Sequence, residues 1–188
     1  MTVTDWYRIF AWLAIAVEIS LVVLLVLGLV GLTRGGRPIW ARVRAFLGRW
    51  GLAWTALVAA VATAGSLYLS EGGHLVPCRL CWYQRSMMYP LAIILVIAAF
   101  RRDWNIRPYA VTLSIIGLAV SIWHVLIEWN PGLESSSSCD PLNPCSALPV
   151  PRYLGYISIP TMAGSAFLFI AAVLLLAGRT SVDESENS

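Results

Sequence analysis

Residues 78–85 read Cys-Arg-Leu-Cys-Trp-Tyr-Gln-Arg and open an apolar segment that runs from Trp82 to Phe100. A dithiol with two residues between its sulfurs closes to a small, reducible ring, suited to exchange rather than to holding a fold together. Set at the rim of an apolar segment, with Arg85 one helical turn after Cys81, it has the layout of a membrane redox site. A second pair, Cys139 and Cys145, lies farther on, and the chain has 4 cysteines in all.

The chain around this stretch is 59% hydrophobic and 12% charged, where a soluble domain carries roughly a quarter charged residues. That composition predicts an all-α integral membrane protein. Five apolar segments stand out, Ile9 to Leu32, Gly51 to Leu69, Trp82 to Phe100, Tyr109 to Trp129 and Tyr156 to Ala177. Each is close to the ~20 residues that a spanning helix needs. In the third, Gln84, Arg85 and Ser86 occupy the outer turn and Pro90 is a candidate kink. Ile9 to Leu32 is too long for a signal-peptide core, and Asp5 with Arg8 leaves its leader nearly neutral, so it reads as a permanent helix.

Arg34, Arg37, Arg42, Arg44 and Arg49 crowd the expected loop after the first segment, and Arg101, Arg102 and Arg107 crowd the loop after the third. The positive-inside rule predicts that both face the cytoplasm, with the amino terminus outside and the carboxyl terminus inside. All four cysteines then lie on the extracytoplasmic side, where disulfides persist. The net charge of +3 is accounted for by these orienting clusters and does not argue for nucleic-acid binding. The outer loop Ser70 to Pro77 is short. The other, Asn130 to Gly155, carries the run Ser135 to Ser138, which favours flexibility, and has Pro141 and Pro144 inside a C-x5-C ring. Leu148 to Tyr156 suits the membrane interface, and Arg179 to Ser188 forms a polar tail expected to be disordered.

If the third helix begins near Cys81, the helix dipole favours a thiolate there, with Arg85 on the same face. Arg85 could stabilise that thiolate and a polar acceptor at the rim, or it could simply snorkel to the interface. His124, at similar depth in the fourth segment, is either a functional group or a histidine bonded to a neighbouring helix backbone. Glu128, one turn farther out, reads as interfacial. Glu18 lies inside the first segment without an explanation, His74 reads as a solvated loop residue, and Trp82 and Tyr83 read as interface anchors. The cysteines also admit a bland reading as two structural disulfides. A zinc site of four thiolates is a weaker alternative, since C-x-x-C plus C-x5-C is not a typical zinc spacing.

Pro77 to Pro90, PCRLCWYQRSMMYP, resembles the disulfide bond formation protein B (DsbB) family, in particular its Gram-positive, BdbC-like branch. The later cysteine pair and the run Gly155-Tyr156-Ile157-Ser158-Ile159-Pro160 strengthen the resemblance, which covers approximately Gly51 to Gly178. It implies a four-helix transmembrane bundle over residues 51–178, with residues 1–50 an extra N-terminal helix and Arg-rich loop appended outside the chemistry. It implies an enzyme of the bacterial cell membrane that reoxidises an extracytoplasmic, thioredoxin-fold DsbA-like protein and passes the electrons to a quinone, ubiquinone or menaquinone. On this resemblance Cys139 is the cysteine attacked by the partner and Cys145 its exchange partner, Cys78 exchanges with the loop pair, and Cys81 faces the quinone. Arg85 takes the place of a quinone-site arginine and His124 that of a quinone-contacting histidine. Two rivals remain at this point: a quinone-coupled enzyme of the vitamin K epoxide reductase type, whose C-x-x-C follows its loop cysteines, and a non-enzymatic membrane protein with two structural disulfides.

Overall fold

The computed structural model describes residues 2–134, 139–140 and 142–177. The Ser135 to Ser138 run, Pro141 and the polar tail, with the expectations attached to them, lie outside the described residues. Among the described residues five helices are long and apolar enough to cross a membrane. They are α1 (Val3–Gly31), α2 (Arg37–Leu67), α3 (Arg79–Arg101), α4 (Arg107–Trp129) and α5 (Ile159–Leu176). The chain is a multi-pass helical membrane protein, as its composition predicts.

The boundaries differ from the sequence reading in an instructive way. The arginine-rich stretch from Arg37 to Trp50, expected as a loop, forms the first turns of α2. Arginine is a good helix former, Pro38 suits a first turn, and long side chains can reach the headgroups from a helix as readily as from a loop. At its C-terminal end α2 runs into a π-helical turn, Tyr68–Gly72, before the short loop to the dithiol. α3 passes through Pro90 unbroken and ends on Arg102, whose φ of 54° places it in the left-handed region.

The core lies between α2, α3, α4 and α5, where Leu52, Leu91, Leu95, Phe167, Ile170 and Leu174 are buried. α4 and α5 meet closely because Gly117 offers no side chain. A Cβ built there would lie 2.3 Å from the Phe167 ring, which is wholly buried in the groove. α1 shows most of its surface outward but is tied to the segment before α5 by polar contacts. The Tyr7 hydroxyl donates to the Ile157 carbonyl at 2.8 Å. Glu18 accepts from the Tyr156 and Ser165 hydroxyls, each at 2.8 Å. This explains an otherwise costly acid within a spanning helix, which here has two donors.

Candidate functional site

Cys78, not Cys81, occupies the N-cap of α3, because the helix begins at Arg79. Its sulfur accepts from the Cys81 amide at 3.3 Å, lies 2.8 Å from the Cys81 sulfur and lies 3.6 Å from His124 Nε2. These contacts hold the Cys78 thiol well below its ordinary range. The Cys81 thiol contributes most, with His124 and the helix-start amide adding to it. The dipole argument made for Cys81 therefore applies to Cys78, three residues earlier.

The second pair is a disulfide, Cys139–Cys145, while Cys78 and Cys81 are free. Both pairs belong to one packed cluster with Leu80 and Ile127. Two contacts bring the loop to the dithiol. Asn143 donates to the Pro77 carbonyl at 3.2 Å, and His124 Nε2 lies 3.1 Å from the Cys145 carbonyl. Glu134 accepts from the Cys145 amide and the Ser146 hydroxyl, folding the ring over. With two of the four sulfurs bonded to each other, the four-thiolate zinc alternative is not the arrangement formed.

Two cavities flank the dithiol and share Cys81. The larger, about 390 Å³, is apolar and lined by α1, α2, α3 and α5 but not by α4. Cys81, Gln84, Arg85 and Met88 of α3 form one wall and Trp54 and Val61 of α2 another. Phe10, Leu13, Ala14 and Val17 show that α1, expected to stand outside the chemistry, is also a wall. Arg85 is held in place by donating to the Ser66 carbonyl at 3.0 Å, with its guanidinium over the Trp82 ring at 5.3 Å. The smaller cavity, about 140 Å³, is lined by Cys78, Cys81, His124 and Glu128 together with the returning loop. His124 thus faces the dithiol and the loop disulfide rather than the larger cavity. Gln84, buried, links the two sides by placing its Nε2 3.3 Å from His124 Nδ1 while lining the larger cavity.

Gln84, Glu134 and Glu128 are among the polar residues of this region that carry no chemical role in the sequence alone. Gln84 lies within the C-x-x-C-W-Y-Q-R motif, so its proximity was available. The position of Glu134 depends on how the loop folds back. Glu128 was read as interfacial, yet it is only 7% exposed. His74 is exposed in its short loop, as expected.

A free dithiol at a helix start, packed against a loop disulfide in a membrane bundle, defines a membrane protein built for thiol-disulfide exchange. Residues 48–177 match the family described as Disulfide bond formation protein DsbB, and the chain belongs to that family. It is 42% identical over 126 residues to disulfide bond formation protein C of Bacillus subtilis, covering 66% of this chain and 91% of that protein. It is 44% identical over 117 residues to a probable disulfide formation protein of Oceanobacillus iheyensis, covering 62% and 80%. A probable disulfide formation protein of Coxiella burnetii is 39% identical over 122 residues, covering 64% and 82%. No solved structure matches the chain. The chain is thus a membrane disulfide oxidoreductase with one helix, α1, ahead of the family-matched region.

Proposed function

We propose that this protein reoxidises an extracytoplasmic, DsbA-like thioredoxin-fold oxidase and delivers the electron pair to a membrane quinone. The observation that carries the reading is the position of the dithiol. Cys78 packs with the loop disulfide, while Cys81 lines an apolar cavity beside a fixed guanidinium. A quinone is an apolar, two-electron acceptor, and a cavity with the Arg85 donors and the Gln84 amide fits its ring and polar oxygens. When bound it supplies the electron sink that disulfide formation requires.

In this reading Cys139 is attacked by the partner and Cys145 is released as a thiolate. Cys145 then passes the electron pair to Cys78, and Cys81 faces the acceptor. Cys139 is only 2% exposed, so the partner reaches it after the loop lifts. The neighbouring Cys145 carbonyl on His124 and Cys78 on the same imidazole support a short exchange path between the pairs. Arg85 orients the acceptor, and His124 holds Cys78 and the loop in register while reaching the larger cavity only through Gln84. The cysteine loops and amino terminus are assigned to the outside, and the arginine-rich turns and carboxyl terminus to the cytoplasm.

Thiol trapping in membranes with and without quinone tests the function. The Cys78–Cys81 pair should accumulate reduced when quinone is absent and partner dithiol is supplied, and should reoxidise on quinone addition. Cys78→Ser and Cys81→Ser should each abolish turnover with quinone, and Cys145→Ser supplied with the partner in its disulfide form should yield a mixed disulfide, the Cys139 thiolate attacking the partner's S–S bond and releasing the partner's second sulfur as thiolate. A pair whose redox state ignores quinone would refute the acceptor. Normal partner oxidation by Cys139→Ser would reduce the loop pair to a structural brace.

A further inference from the structure

Glu128 is the buried ionisable group that these exchange steps leave unused. It stands on α4 one turn beyond His124, and its Oε2 is buried without a hydrogen-bond partner. It lines the same 140 Å³ cavity as Cys78, Cys81 and His124. The ionisable and polar groups around it come from every neighbouring element. Cys78 and Cys81 come from the start of α3, His124 from α4 itself and Tyr7 from α1. Ser158, the N-cap of α5, lines the same cavity, and Arg152 donates to the Glu128 backbone carbonyl at 2.8 Å.

Both ring nitrogens of His124 are already engaged in this arrangement. Gln84 Nε2 faces its Nδ1 and the Cys145 carbonyl faces its Nε2, a pairing met by a neutral imidazole with its proton on Nε2. The same Nε2 lies beside Cys78, whose sulfur also accepts from Cys81 and from the Cys81 amide, the surroundings of a thiolate. A second anion buried in one small cavity is disfavoured by desolvation and by repulsion. The cavity therefore carries one negative charge at a time.

We propose that Glu128 is the proton store of the dithiol, protonated while Cys78 and Cys81 are reduced and ionised once they have closed to a disulfide. The step balances. An S–S bond forms between Cys78 and Cys81, and the Cys81 S–H and Glu128 O–H bonds break. Two electrons and two protons leave for the acceptor, converting quinone to quinol, and the single negative charge moves from Cys78 to Glu128. The cavity has room for a bridging water, and Cys81 lines both cavities and so lies on the path between them. The inference rests on the reading of Cys78 and Cys81 as the redox pair and is independent of which acceptor they serve.

Counting protons tests it. Fully reduced full-length protein in micelles is oxidised with ferricyanide, which takes electrons without protons, and the release at neutral pH is read with an indicator dye. The loop pair contributes equally in every variant, so Glu128→Gln should release one proton fewer per chain than wild type, and Glu128→Asp should match wild type. Equal release from wild type and Glu128→Gln overturns the proposal. Infrared difference spectra of the wild type give a second readout that does not depend on the variant folding. Oxidation should remove a protonated-carboxyl C=O band, and its absence from the difference spectrum overturns the proposal as well. If the one-proton difference holds in a protein that does not reduce quinone, the proton store stands and the acceptor assignment falls.

Discussion

At the scale of single residues, the decisive position is the N-cap of α3, where a cysteine stands in place of the usual serine or aspartate. Cys78 draws on the Cys81 thiol, the Cys81 amide and His124 together, and its depressed pKa sets a sign for pH dependence. A lowered thiol pKa keeps the thiolate as pH falls from neutral and loses it only in acid. Alkylation of Cys78 in the reduced protein should therefore be nearly flat across the neutral range. An ordinary cysteine, by contrast, gains about tenfold per pH unit below ~8.5. Mass spectrometry of the alkylated peptide checks this, and an ordinary profile would remove Cys78 as the poised nucleophile. Arg85 carries a second expectation. Losing a charged donor to a buried acceptor costs about 1.5–3 kcal/mol, so Arg85→Ala should raise the apparent KM for quinone on the order of 10- to 100-fold. Mixed-disulfide formation at Cys139 should be preserved, and Arg85→Lys should recover only part of the loss because it lacks the planar fork. An unchanged quinone titration in Arg85→Ala would leave it an interface anchor.

At the scale of elements, α1 changes meaning between sequence and structure. As an appended helix it had no role. In the fold Glu18 and Tyr7 dock it so that Phe10 and Val17 close the larger cavity. Interhelical hydrogen bonds in membranes are worth about 0.6 kcal/mol on average and up to about 1.7. Glu18→Ala should thus raise the apparent quinone KM a few-fold while leaving the partner reaction at Cys139 intact. Equal kinetics for the variant would separate α1 from the acceptor site. The α4 and α5 contact makes a stability prediction. Gly117→Ala must displace the Phe167 ring, and overpacking of this kind costs about 1–3 kcal/mol. Its unfolding in micelles should shift to lower denaturant, and trimming the ring with Phe167→Leu in the same chain should restore part of the loss.

At the scale of the whole molecule, five apolar helices would put the ends of the bundle on opposite faces of a bilayer, and the positive-inside rule assigns the arginine clusters to the cytoplasmic face in the proposed orientation. Reporter fusions at Gly35 and after Arg102 should read cytoplasmic, and one near Ser136 extracytoplasmic. A cytoplasmic reading at Ser136 would place every cysteine in a reducing compartment and undo the assignment. Apolar runs of the right length, the dithiol motif and the arginine bias were all legible along the chain, because each is a property of neighbouring residues. So was the family, carried by the residues around Cys78 and Cys81 and by the entry to α5. What only the tertiary structure decided is which way each helix turns its faces. In a bilayer the lipid-facing and protein-facing sides are equally apolar, so hydropathy does not distinguish the buried Glu128 from an interfacial acid, or a wall of a cavity from a free helix. The partners of Glu18 and the reach of Gln84 are contacts between distant segments, set by packing and helix rotation, which no local spacing encodes.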